Sequence, residues 1–185
     1  EKGKLNTAEM RINTNLETES IFRQKVKQLP TDKVPIIIAG GSFNKKGRNT
    51  EVTPEGKELL KELLTKVNSD KAYFVVGHKM QGYEKELIDI VKEKGKKFQI
   101  LAVVPRKVNE QIKENVEENV DNVYISKLNE EAGIYMGFRN GIFDHVPAMV
   151  FAFDGNSPVN NLIQDAKNTK NKTIYVNEDV RSLRE

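Results

Sequence analysis

Beyond Lys33, short apolar runs rich in β-branched and aromatic residues alternate with longer stretches that carry a single apolar stripe. The runs occupy residues 34–39, 72–76, 98–104, 122–125, 148–153 and 173–176. Several are apolar without a break. That suits strands covered on both faces, whereas a sheet with one wet face alternates apolar and polar side chains. Strands separated by helices pair in parallel, because each crossover carries the chain back to the same end of the sheet. The expectation is an α/β fold, a three-layer sandwich with a mostly parallel sheet of about six strands, right-handed crossovers and helices on both faces.

The intervening stretches carry helix signals of their own. Thr53-Pro54-Glu55 supplies an N-cap, a proline at the first helical position and an acid in the first turn, ahead of Leu59, Leu60, Leu63, Leu64 and Val67. Residues 84–94 repeat the pattern with Leu87, Ile88 and Val91, and Gly95 closes the helix. Residues 107–119 place Val108, Ile112 and Val116 at four-residue spacing, which predicts an exposed helix with one stripe. Residues 129–143 carry Ala132, Ile134, Tyr135, Phe138 and Ile142, and Ser157-Pro158 opens a last helix with Leu162, Ile163 and Ala166 inward. Residues 1–30 are polar and thinly apolar, and 17–29 reads as a helix that Pro30 ends. They are expected to be an N-terminal helical arm or a linker from an upstream domain, with 31–185 as the binding domain. The chain opens on Glu1, which favours a piece of a longer polypeptide.

Composition narrows the chemistry. With no cysteine, the chain has no disulfide framework, thiolate metal site or cysteine nucleophile, and two histidines cannot make a multi-histidine metal centre. Neither a metal nor a cofactor is expected. Thirty basic against 27 acidic residues leave +3, too little to imply a nucleic-acid or membrane partner. No apolar run reaches membrane-spanning length. A soluble, cytoplasmic protein is the expectation.

In parallel α/β sheets the ligand crevice lies beyond the carboxyl ends of the strands, so function belongs to the loops at 40–52, 77–83, 105–107, 126–131 and 154–157. In the first, Gly40, Gly41 and Ser42 let backbone amides approach a ligand, and Phe43 leads to Lys45, Lys46 and Arg48, cations suited to phosphate. It matches neither a dinucleotide fingerprint nor a P-loop. In the second, His78 and Lys79 are candidates for phosphate contact or proton transfer, and Gly82 for a backbone contact. In the fourth, Glu130 and Glu131 suit a helix start, yet either could hold a ribose hydroxyl or act as acid or base, with Arg139 eight residues on from Glu131. The fifth, Asp154-Gly155-Asn156-Ser157, offers successive amides at a capped helix. If the strands before the first and fifth loops adjoin, their two turns flank a single ligand.

The order of these loops resembles the SLOG superfamily of Rossmann-like domains over about residues 34–176. That group includes the LONELY GUY phosphoribohydrolases, the DNA-processing protein A fold and nucleotide-sensing domains of bacterial antiphage effectors. Residues 36–42 look like its first-strand GGS turn, 74–83 like its second strand with a glycine-containing turn, and 149–166 like its late strand and helix. The resemblance implies a nucleotide-derived ligand across these loops. It departs where the LONELY GUY enzymes carry a PGGxGTxxE turn with a catalytic glutamate. Here the stretch reads Asp154-Gly155-Asn156-Ser157-Pro158-Val159-Asn160-Asn161-Leu162. Nucleoside deoxyribosyltransferases also use a glutamate in that helix, and Asn160, Asn161 and Gln164 cannot replace it, because an amide neither attacks an anomeric carbon nor carries a proton at neutral pH. The expectation is a sensor domain for a phosphorylated or cyclic nucleotide. By resemblance it would control an effector domain elsewhere in the full-length chain, through a change of oligomeric assembly. The alternative is a nucleotide N-glycosidase or phosphoribohydrolase using Glu130 or Glu131.

Overall fold

The computed structural model describes residues 16–26, 29–30, 32–40, 51–95, 97–126, 147–153, 157–168 and 175–177. The described chain opens with a two-residue strand, β1 (Leu16–Glu17), and one helical turn, α1 (Thr18–Ile21). Then follow β2 (Val34–Ala39), α2 (Pro54–Lys66), β3 (Ala72–Val76), α3 (Tyr83–Glu93), β4 (Ile100–Val104), β5 (Lys107–Val108) and α4 (Glu110–Asn119). The last elements are β6 (Asn122–Ile125), β7 (Met149–Ala152), α5 (Ser157–Asn168) and β8 (Tyr175–Asn177). Among the described residues no helix is long and apolar enough to cross a membrane.

Six strands form one sheet in the order β6-β4-β3-β2-β7-β8, and every neighbouring pair is parallel. The uninterrupted apolar runs find the two-sided cover they require, for β3 and β4 are buried at every position. Along β2 the side chains divide by the two-residue pleat. Ile36 and Ile38 join one core with α2, α3 and α4, while Ile37 and Ala39 join another with α5. Helices therefore cover both faces. The α/β sandwich expected from the runs is the observed architecture.

From β2 the strands step outward through β3 and β4 to β6, and the chain then returns to the other side of β2 to lay down β7 and β8. The order reverses between β2 and β7, which pair from Ile36↔Met149 to Ala39↔Ala152. The fold has its topological switch point there.

Local signals act as written in the sequence. The Thr53 hydroxyl accepts the Gly56 amide at 3.0 Å, with Pro54 at the first helical position of α2. Two expectations need correction. Residues 107–119 do not form one helix: Lys107 and Val108 pair antiparallel with Glu17 and Leu16, and the helix starts after Asn109, whose side chain accepts the Ile112 amide at 2.9 Å. Nor does a helix span 17–29. Among its described residues only Thr18–Ile21 is helical, Phe22 is buried in the core, and Val26 bridges to Val123 at the β6 edge. Tertiary contacts outweigh helix propensity in both places: a β-ribbon partner takes 107–108, and an apolar seat takes Phe22. The helix expected over 129–143 lies outside the described residues.

Candidate functional site

Three carboxyl strand ends converge at the switch point. The Phe153 amide, just past β7, donates to the Ala39 carbonyl at 2.9 Å, so the two strands leave the sheet side by side. The next residue on β2, Gly40, is buried and has φ 128°, a conformation that suits glycine. Its carbonyl accepts the Tyr83 amide at 3.0 Å, which ties the first turn of α3 to the end of β2.

Tyr83 is the hub of this corner. Its fully buried ring stacks on Phe153, with centroids 4.7 Å apart and planes 24° from parallel. Its hydroxyl accepts the Thr53 amide at 3.2 Å and lies 3.5 Å from the Thr53 hydroxyl. The ring passes so close to Gly56 that a Cβ there would meet ring carbons at 2.8 Å. One residue thus connects the amino end of α2 and the end of β7, through its side chain, with the end of β2, through its amide.

The β3–α3 turn is built under constraint. Met80 has φ 52° although it is not glycine and is 5 % exposed. Gly82 caps α3 at φ 58°, ψ −129°, outside the regions open to L side chains. Beneath the turn lies Glu84. Its carboxylate folds back to accept the Gly77 amide and is 8 % exposed. Burial pushes its pKa up to about 7, and the Gly77 hydrogen bond offsets part of that rise.

Of the residues singled out in the sequence, Gly40 and Gly82 meet at this corner, Gly82 through the neighbouring Tyr83 amide. His78 lies buried within the β3–α3 turn and Lys79 half-buried beside it, each already engaged with a partner. Ser157 is the first residue of α5. Gly41, Ser42, Phe43, Lys45, Lys46, Arg48, Glu130, Glu131, Arg139, Asp154, Gly155 and Asn156 lie outside the described residues. The 105–107 loop is occupied by the chain itself: the Thr18 hydroxyl donates to the Pro105 carbonyl at 2.5 Å, and the Thr18 amide to the Arg106 carbonyl at 2.9 Å. Asn160, Asn161 and Gln164 are exposed on α5.

Sequence patterning marks Tyr83 and Glu84 only as the start of an amphipathic helix. Their signal is positional: an aromatic and an acid directly follow a glycine at a strand-to-helix turn. What converts that into a site is the pairing of β2 with β7, and no local pattern encodes a pairing between residues over 110 positions apart. Comparison with models of known protein families and with curated proteins finds no match.

Proposed function

We propose that the crevice at the β2–β7 switch point binds a nucleotide-derived ligand, and that the chain is a SLOG-like sensor domain. The observation that supports this best is the direct pairing of Ala39 with Ala152. It sets Gly40 and Phe153 side by side at the carboxyl edge of the sheet, where parallel α/β sheets take their ligands, and in sequence the glycine-rich segment follows the one and the Asp-Gly-Asn-Ser segment the other. The segment following Gly40 supplies Gly41, Ser42, Phe43, Lys45, Lys46 and Arg48, and the segment following Phe153 supplies Asp154, Gly155 and Asn156 ahead of Ser157. In this reading the amides and cations hold phosphate, while Asp154, Glu131 or Arg139 meets the sugar or base. A sensor of this kind would act on a neighbouring effector domain through its assembly state.

A catalytic reading, cleavage of a nucleotide N-glycosidic bond by Glu130 or Glu131, gains one observation. Glu84 adds a buried carboxyl with a raised pKa at the same end of the sheet. Calorimetry against a panel of linear and cyclic nucleotides, with product analysis in the same tubes, separates the two. Binding without turnover supports the sensor. Release of free base that disappears in Glu131→Gln or Glu130→Gln supports the glycosidase, and binding to no nucleotide overturns both.

A further inference from the structure

We propose that Glu84 is a proton-operated latch on the β3–α3 turn: the turn stays closed while the buried carboxyl keeps its proton and opens more often once the proton is lost. The device belongs to the fold and stands whether or not the crevice takes a nucleotide.

Residues 77–82 carry the chain from the end of β3 to the start of α3. The Glu84 side chain reaches back from the first turn of α3 to accept the Gly77 amide, which ties the helix to the first residue of the turn. The fit is close: a Cβ on Gly77 would stand 3.0 Å from the Glu84 Oε2. The residue is 8 % exposed, so the two groups meet away from water. The closed turn also carries strain. Met80 has φ 52°, which residues other than glycine keep only where the surroundings impose it, and opening relieves that strain.

A carboxyl in such a seat is favoured in its neutral form, because burial withholds the water that a carboxylate needs. Burial raises the Glu84 pKa to about 7, and the Gly77 hydrogen bond works against the rise. His78 and Lys79, the titratable groups on the turn itself, each have a partner. On α3, Glu86 pairs with Lys57 of α2 at 3.2 Å, and Lys85, Glu55 of α2 and Arg106 beyond β4 are exposed. In the open turn water reaches the carboxyl, and its pKa returns toward the ordinary 4.5. Between these two values each opening releases a proton, so the open fraction rises about tenfold per pH unit and levels off above the higher one. The effect reaches the switch point, because the Tyr83 amide at the end of this turn donates to the Gly40 carbonyl.

The test is amide exchange of the intact chain, followed residue by residue by NMR at pH 5 and pH 8, with each rate divided by its unstructured value. Protection of the Gly77 amide is expected to fall about tenfold or more from pH 5 to pH 8, and to lie below that of the β4 amides at both. Glu84→Gln, which keeps an acceptor for the Gly77 amide, should hold the change within about threefold. Protection of Gly77 that does not vary with pH in the parent overturns the inference, whether or not the variant folds. Persistence of the full change in a folded Glu84→Gln assigns it to another group, such as His78, and overturns the inference as well. Equal protection of Gly77 and the β4 amides shows that only global unfolding exposes the carboxyl, and there is then no latch.

Discussion

Tyr83 stacks on Phe153 with ring centroids 4.7 Å apart, and this contact joins the first turn of α3 to the end of β7 across the intervening β2. Its hydroxyl meanwhile reaches Thr53 at the amino end of α2. The switch point is therefore braced by side chains as well as by strand pairing. Removing the ring in Tyr83→Ala should cost about 3–5 kcal/mol, the range for deleting a buried aromatic. Tyr83→Phe keeps the stack and loses the hydroxyl's hydrogen bond from Thr53, so it should cost about 1 kcal/mol. Urea melts of the two variants measure both. Near-equal losses would show that the ring carries none of the bracing.

Glu84 should make stability depend on pH. Its folded pKa, about 7, lies above the ordinary 4.5, so between these values the folded protein holds a proton that the unfolded chain has released. The contribution is full below pH 4.5, declines as pH rises and is gone above about 7. Glu84→Gln should flatten this slope and leave the protein more stable than the parent at pH 8, by up to about 3 kcal/mol. Denaturant midpoints at pH 5 and pH 8 decide it; parallel profiles for parent and variant would count against a buried, proton-holding carboxyl.

Tyr73 presents the opposite case. Its side chain is fully buried in β3, and its hydroxyl has no hydrogen-bond partner. Burial raises its pKa above the ordinary phenol value, so the group stays neutral. Removing an unsatisfied buried hydroxyl relieves a desolvation cost of about 1–3 kcal/mol. Tyr73→Phe should therefore be neutral or stabilising, and thermal melts would show a midpoint at or above that of the parent.

The segment before β2 should contribute to folding. Phe22 is 2 % exposed within the core, and the Lys25 ammonium donates to the Val120 carbonyl at 2.7 Å and the Glu117 carbonyl at 3.0 Å, closing the carboxyl end of α4. Phe22→Ala should cost about 3–5 kcal/mol and Lys25→Met about 1 kcal/mol. Small losses for both would indicate a segment that docks without supporting the sheet.

Lys45 and Lys46 bear on the phosphate reading alone. Converting both to alanine should weaken binding of a phosphorylated nucleotide by about tenfold at low salt and by less at high salt. Unchanged affinity in calorimetry would take these lysines out of the site.

The fold was legible because its signals are local and redundant. Uninterrupted runs such as Ala72–Val76 can be buried only between two layers, and Thr53-Pro54-Glu55 writes a helix start in three adjacent residues. The errors fell where a distant partner overrides local preference. Lys107 and Val108 look helical by spacing, yet β1 claims them for a ribbon. Residues near Phe22 have helix propensity, yet an apolar seat on the core interrupts the helix.

For the candidate site the division is similar. By itself the sequence determined that glycine-rich turns follow apolar strands, that no thiol chemistry is available and that the helix after β7 lacks a glutamate. Each of these is a property of neighbouring residues or of composition. Only the tertiary structure decided that β2 and β7 adjoin, that Tyr83 spans the corner and that Glu84 lies buried beneath a turn. Burial and long-range pairing are set by how the whole sheet packs, and a carboxyl acquires its raised pKa only once the other layers have excluded water from it.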